Sequence, residues 1–437
     1  MIQNPLIFAA LSDIAGMTRG KAFPASDLDK RLRRGVGWTP TNVMITCFEA
    51  IAESPFGALG DLLLVPDPEA SVTVDFADGG PVERFMLGDV TDLDGTPWEC
   101  CTRSILKGAL ARLRAVGGVD LVSAFEHEFQ FKGPVTPLGQ SYGFTGFTLR
   151  RRFGETLIAA LEQAGLKPDT FMKEYGTSQY EITNGPATGI AGADAAVILR
   201  EVVRMTARRL GEEATFTPIR DPASVGNGVH IHMSFLDGDG NPATYAANGP
   251  AGMSALTGSF VAGVLKYIDR IVALTAASDI SYLRLTPHRW SAAFNNLGFR
   301  DREASVRICP VTAKDDQSIA RQFNFEYRAA DASASPYLAL AAVVHAGTQG
   351  IEEGLPAPKV TEEDLSLLSP EDLDGRGLLR LPQTLEEAIA RFEADATVAG
   401  WFPEGFAAIY AAHKRAEMAY LDGMNQKERC AAYESVY

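Results

Sequence analysis

Four short segments of this chain carry acids or imidazoles at spacings that only a sheet can bring together. They are AFEHEF with Glu126 and Glu128, KEYGTSQYEI with Glu174 and Glu181, GNGVHIHMSF with His230 and His232, and NFEYR with Glu326. Residues two apart on a strand project to the same face. Adjacent strands would therefore gather five carboxylates and the His230 imidazole into one cavity. Such a set repels itself strongly unless divalent cations sit between the charges. Hard oxygen donors favour Mg²⁺ or Mn²⁺ over zinc.

Each segment alone has a plainer reading. Glu126 and Glu128 could lie on an exposed strand edge, although VDLVSAF before them and FQF after them are buried-strand sequences. His230 and His232 could be hydrogen-bonded core histidines, and Glu326 with Arg328 a cross-strand ion pair. The run RDREASVRICP, with Arg300, Arg302 and Arg307, could be a surface face. Beside a phosphate and carboxylate site the same guanidinium groups would be bidentate clamps.

The 437 residues, 46% hydrophobic and 22% charged, suffice for a large core and two domains. A net charge of −15 with no basic block argues against a nucleic-acid partner. Cys47, Cys100, Cys101, Cys309 and Cys430 are scattered without a CxxC spacing, as expected of reduced thiols in a cytoplasm. The opening MIQNPLIFAALSD has no basic stretch of the signal-peptide kind. The apolar run from Gly258 to Ala277 contains Lys266, Asp269 and Arg270, which predicts a buried helix and no membrane span.

Residues 1 to 105 read as short strands, LIFAALSD, TNVMITCFEA, DLLLVPD, SVTVDF and ERFMLGDV, broken by Gly- and Pro-rich turns. Residues 106 to 437 read as strands alternating with longer helices. Helical periodicity covers Arg103 to Val116, Arg150 to Ala164, Asp194 to Leu210 and Ala251 to Ala277, with Asp194 as a candidate N-cap. Ser335-Pro336 opens a further helix, and Thr384 with Glu387 has capping-box spacing. The stretch from Ala357 to Pro382 reads as an irregular connection. No Walker A loop, dinucleotide fingerprint or nucleophile elbow is present, so any nucleotide must be held through metal, arginine and backbone.

In register along the chain, these segments resemble the glutamine synthetase family. The resemblance runs through DIAGMTRGK, GDLLLVPD, the E-x-E strand, the QYE loop, the G-x-H-x-H-x-S strand, SYLRLTP, REASVRICP and EYRAADASASPY. It implies an α+β protein, with a β-grasp-like N-terminal domain and a C-terminal catalytic domain of curved antiparallel sheet flanked by helices. It implies ATP as co-substrate, phosphorylation of the glutamate γ-carboxylate, and attack of an amine on the acyl phosphate. It also implies a homo-oligomer, usually a dodecamer of two hexameric rings, with each site completed by a neighbouring subunit. By motif position, Glu128, Glu174 and Glu181 match the ligands of one Mg²⁺ or Mn²⁺, and Glu126, His230 and Glu326 those of the other. His232, Ser234 and Arg321 match nucleotide contacts, and Gly226, Arg284 and Arg328 match amino-acid substrate contacts. Arg302 and Arg307 match positions that steady the transferring phosphoryl group.

The departures point to the nucleophile. Ammonia-using relatives carry a flap glutamate after SYxRL; here the loop reads RLTPHRW, with Trp290 at that place. Their DGSS-type aspartate corresponds to Thr39 in GWTPTN. Both groups that would attract ammonium are replaced, by an aromatic and a hydroxyl. Ile280, Ser335 and Ile219 also depart from family residues, the first two near the amino-acid end of the site. The expectation is a cytoplasmic ATP-dependent ligase joining glutamate to an organic amine of the polyamine or methylamine kind. The alternatives are ordinary glutamine synthesis, a non-catalytic nucleotide or glutamate sensor, and an amino-acid substrate other than glutamate.

Overall fold

The computed structural model describes residues 3–133 and 138–437. Five strands build the N-terminal sheet: β1 (Leu6–Ser12), β2 (Thr18–Pro24), β3 (Val36–Trp38), β4 (Leu62–Val74) and β5 (Glu83–Thr91), in the order β2-β1-β5-β4-β3. Only β1 and β5 run parallel. DLLLVPD and SVTVDF are one strand, β4, whose pairing to β5 slips between Pro66 and Ser71. Prolines cannot donate to the ladder, so the PDPEA turn survives as a bulge within the strand. TNVMIT is not a strand but a 3-10 turn, Pro40–Met44. Pro40 presets its first φ, and neighbouring Val43 and Met44 are both buried, which strand alternation forbids.

The helix Thr102–Gly117 leads into the larger sheet. Its strands are β6 (Asp120–Phe131), β7 (Pro168–Lys173), β8 (Gln179–Asn184), β9 (Ala187–Thr188), β10 (Ala214–Thr215), β11 (Val229–Leu236), β12 (Leu297–Gly298), β13 (Val306–Ile308), β14 (Phe325–Ala330) and β15 (Val360–Thr361). The path is β15-β12-β13-β14-β11-β6-β8-β7, with β9 and β10 also paired to β6. The pairs that carry the site, β13 through β8, are all antiparallel.

Helices Ile190–Arg209, Ala255–Thr275 and Pro336–Glu352 form much of the catalytic domain's core. The last two cross closely where Gly263 meets Gly350, and a Cβ at Gly263 would lie 2.7 Å from the Gly350 backbone. The Gly258–Ala277 run is thus largely a core helix, and no described helix is long and apolar enough to cross a membrane. The helix expected to start at Asp194 begins at Ile190, after Gly189 at φ 66°. Asp194 is instead a buried acid inside it, accepting two 2.9 Å hydrogen bonds from Arg103. Arg103 also pairs with Asp67 and Asp89 of the N-terminal sheet, so one guanidinium ties that sheet to the helix Ile190–Arg209 of the catalytic domain. Thr384 caps its helix through the Glu387 amide, but the Glu387 carboxylate accepts from Gln383, so the capping box is incomplete.

Candidate active site

Strand register assembles the site. On β6 and β11, Glu126 lies opposite His230; on β6 and β8, Glu128 lies opposite Glu181. On β11 and β14, His232 faces Glu326, which in turn faces Arg307 of β13. Glu174 lies just beyond β7, in the turn to β8. The β11–β14 ladder bulges between Val229 and Ile231, beside Arg328.

One cluster comprises Glu126, His230, His232 and Glu326. His230 Nδ1 is 3.1 Å from Glu126 Oε2, and His232 Nε2 is 2.9 Å from Glu126 Oε1 and 3.0 Å from Glu326 Oε2. Ligand atoms about 2.1 Å from a common octahedral cation stand about 3 Å apart, so these spacings suit a shared divalent ion. Glu126, His230 and Glu326 each offer a donor atom within 4.8 Å of the others. Glu326, 1% exposed, also accepts 2.6 Å hydrogen bonds from Arg307 Nε and Arg328 Nη1. Burial pushes the Glu126 and Glu326 carboxyls up, but the imidazoles, and for Glu326 also Arg328, outweigh it and hold both well below the usual range. Burial, with Arg328 nearby, lowers His230 and favours the neutral imidazole that a metal requires.

The second cluster has weaker counter-charges: Arg284 and Arg328 act on Glu128 but do not outweigh burial. Burial and the neighbouring Glu174 raise Glu128 to about 7. Burial, then Glu126, Glu128 and Glu174, raise Glu181 to about 9. Glu128 accepts from the Gly228 amide at 2.7 Å and Gln179 Nε2 at 3.1 Å, and Glu174 from Tyr142 Oη and the Tyr175 amide, both at 2.9 Å. Three clustered acids whose hydrogen-bond donors are neutral have the chemistry to hold a cation.

Arg284 is 3% exposed, and no carboxylate pairs with it among the described residues. Nη1 donates to Ser291 and Nη2 to the Ala330 carbonyl, while Nε has no partner. A buried guanidinium with a spare donor suits a substrate carboxylate. Gly226 packs on it so tightly that a Cβ would come within 2.7 Å of its Cδ.

Two cavities flank the clusters. One of about 730 Å³ is lined by Glu126, Glu181, His232, Ser234, Arg321 and Asn324. The other, about 650 Å³, is lined by Trp290, Phe294, Arg302 and the acids Asp301, Glu303 and Asp364, among others. Trp290 is 52% exposed at φ 52°, and His288 lies at φ 63°. This strained turn is clamped by Glu303, whose two carboxylate oxygens accept the His288 and Trp290 amides at 2.9 and 3.0 Å. The Trp290 ring meets Tyr175 edge to face at 5.0 Å.

Arg302 is exposed; its carbonyl accepts from Arg328 Nε at 3.1 Å. Thr39 stands apart on the N-terminal domain, its recorded hydrogen bond a 3.2 Å contact from the Asn42 amide to its carbonyl. Sequence reasoning passed over Tyr142, Glu303, Cys309 and Asn324. Glu303 and Cys309 lie inside the REASVRICP motif, but only the folded register shows what they face.

The glutamine synthetase N-terminal domain family matches residues 3–98, and the glutamine synthetase catalytic domain family matches 99–433. The chain belongs to the glutamine synthetase family. Its members are ATP-dependent C–N ligases that use divalent metals, and this member has the family's two-domain α+β fold. A γ-glutamylpolyamine synthetase, GlnA3 of Streptomyces coelicolor, is 31% identical, the alignment covering 99% of this chain and 93% of that protein. Type-1 glutamine synthetase 1 of Dictyostelium discoideum is 32% identical over 86% of this chain and 78% of its own length. Among solved structures, a glutamine synthase homologue superposes with TM-score 0.92 at 38% identity, covering 100% of this chain and 99% of that one. A GmaS/ADP complex superposes with TM-score 0.82 at 25% identity, covering 97% and 95%.

Proposed function

We propose that this ligase joins the γ-carboxylate of glutamate to an organic amine, consuming ATP and releasing ADP and phosphate. The observation that carries the reading is Trp290, clamped by Glu303 at the mouth of the 650 Å³ cavity, where ammonia-using relatives place a flap glutamate. Trp290 and Phe294 give an alkyl amine apolar contact that ammonium cannot use, while the acids Asp301, Glu303 and Asp364 of the same cavity would attract either cation. The resemblance to a γ-glutamylpolyamine synthetase across nearly the whole chain supports the same class.

In this reading Glu128, Glu174 and Glu181 hold one Mg²⁺ or Mn²⁺, and Glu126, His230 and Glu326 hold another. Ions bound there would neutralise phosphate charge, the main requirement of phosphoryl transfer. Arg284, with its unpartnered Nε, holds the substrate carboxylate, and the Gly226 backbone lets the amino acid approach. Arg302, Arg307 and Arg328 line up behind the transferring group. His232, Ser234 and Arg321 face the nucleotide in the 730 Å³ cavity. The amine nitrogen then displaces phosphate from the γ-glutamyl phosphate and must lose a proton. Trp290 cannot accept a proton, so either another group takes it or the amine enters already neutral, in which case activity rises with pH toward the amine's own pKa; the proton shed as the amide forms passes to the departing phosphate or to solvent. Thr39 completes the amine end from a neighbouring subunit of a ring, a dodecamer in the family pattern, whose heterologous contacts close by rotation.

Phosphate release with ATP, Mg²⁺ and glutamate across a panel of amines tests this directly. Alkyl diamines or monoamines should outpace ammonia; preference for ammonia over every amine would return the protein to glutamine synthesis.

A further inference from the structure

Three turns meet beside Trp290, and each is fastened to the other two. One spans residues 174–178 between β7 and β8, one spans 222–228 ahead of β11, and the third is the strained turn at 287–290. Gln179 Nε2 donates to the Gly226 carbonyl at 2.9 Å, and a Cβ on Gly176 would stand 3.2 Å from Val225 Cγ2, so the first two turns are in contact. Arg289 joins the third to the second: its Nη1 donates to the Ser224 carbonyl and its Nη2 to the Pro222 carbonyl, both at 2.7 Å. Tyr175 joins the third to the first, its ring meeting that of Trp290 at 5.0 Å and 68°.

These links do not serve the core. Tyr175 and Trp290 are 54% and 52% exposed, so their ring contact buries little area and adds little to stability. Arg289 spends both Nη groups on main-chain carbonyls of a single loop, a fork that fixes direction as one ammonium could not. His288 and Trp290 both hold positive φ, and such a backbone persists only where its surroundings over-determine it. Glu303 holds the turn's amides, while Arg289 and Tyr175 set where its side chains stand. The first turn is itself stiff, because Lys173 Nζ donates to the Gly176 carbonyl at 2.7 Å from inside the protein.

We propose that Arg289 and Tyr175 are positioning residues for amine selection. They fix the Trp290 indole against the loop of Gly226 and the turn of Glu174, so the apolar contact is in place before an amine arrives. The inference rests on the reading of Trp290 as the wall of the amine site. An indole free to swing would have to be immobilised at each binding event, and that cost would fall on the alkyl amine and not on ammonia, which does not use the ring.

The test compares kcat/KM for 1,4-diaminobutane and for ammonia, with ATP, Mg²⁺ and glutamate saturating. Trp290→Ala should lower the diamine-to-ammonia ratio. Tyr175→Ala should lower it about 3–10-fold, the worth of an edge-to-face ring pair. The loss should appear in KM for the diamine with kcat little changed, and Tyr175→Phe, which keeps the ring, should match wild type. Arg289→Met and Arg289→Lys should move the ratio the same way. In a Trp290→Ala background none of these should lower it further, since residues that act through one another are not additive. Should a variant fold poorly, Tyr175→Leu and acrylamide quenching of the substrate-free protein provide a second measurement. Trp290's share of the emission, taken as the difference from Trp290→Phe, should quench faster once Tyr175 or Arg289 is replaced. An unchanged ratio in Tyr175→Ala, an undiminished loss in the Trp290→Ala background, or unchanged quenching would overturn the proposal and leave Trp290 as the amine wall. An unchanged ratio in Trp290→Ala would overturn the amine-wall reading itself, and the proposal with it.

Discussion

The two acid clusters on this sheet solve the same electrostatic problem in opposite ways. Glu126 and Glu326 are surrounded by His230, His232, Arg307 and Arg328, and their carboxyls stay ionised without help. Glu128 and Glu181 face each other across β6 and β8 with Glu174 nearby, and burial with mutual repulsion drives their affinity for protons up. The first cluster is part of the fold's own charge balance. The second carries like charges directly opposed on a ladder, which destabilise it, and in the proposed reading a cation completes it. A buried acid whose counter-charge is protein contributes to stability and function together; one whose counter-charge is a ligand contributes to function at the expense of stability.

Removing Glu326 should have the largest effect. Glu326→Ala strips a carboxylate from the phosphate side and leaves Arg328 buried and unpaired. Phosphate release should be abolished, and urea unfolding should show a loss of about 3–5 kcal/mol. A variant of unaltered stability would break the claim that this cluster is structural.

Glu181→Gln should do the reverse. It removes a like charge, so the metal-free protein should melt at a higher temperature than wild type, while the Mg²⁺ concentration needed for activity rises on the order of 10–100-fold. Equal destabilisation in the two variants would erase the distinction between the clusters.

Selectivity should shift next. Trp290→Glu, with Thr39→Asp, restores acid at the amine end and should move preference toward ammonia by roughly 10–200-fold in kcat/KM ratio. Glu303→Ala should raise KM for the amine, with KM for glutamate and ATP little changed, because Glu303 holds the turn that carries Trp290 and lines the cavity beside it. An equal rise in all three constants would make Glu303 merely structural.

The smallest effect is a pH dependence of metal stabilisation. In the metal-free fold Glu128 and Glu181 bind protons that the unfolded chain, with carboxyls near 4.3, has already released. Folding stability from these two groups therefore falls as pH rises from about 4.3 through 7 and on toward 9. A divalent cation replaces the protons and cancels the loss, so the rise in Tm on adding Mg²⁺ should grow across that interval. Glu126 and Glu326 run the other way: their contribution is present above the ordinary carboxylate range and lost in acid. A Mg²⁺ increment independent of pH would sink the assignment of the second cluster.

Much of this was legible from residue order. Spacing two apart placed Glu126 with Glu128 and His230 with His232 on single faces, because strand geometry depends only on neighbours in the chain. Burial of those strands followed from their apolar flanks. Local rules failed where a distant contact outweighed them. Asp194 has every quality of a helix cap, yet Arg103, 91 residues away, draws it into the interior. TNVMIT has strand composition, but the core claims Val43 and Met44 together.

Which acids would be balanced and which left bare could not be read along the chain. It depends on which strands lie side by side and in what register: β14 between β11 and β13 brings His232 and Arg307 to Glu326, and β8 beside β6 brings Glu181 to Glu128. The fold also sets Cys309 beside His232 and Glu303 beneath Trp290. The identity of a ligand is a property of one residue. Its charge state is a sum over neighbours that are far apart in sequence, and only the folded sheet carries out that sum.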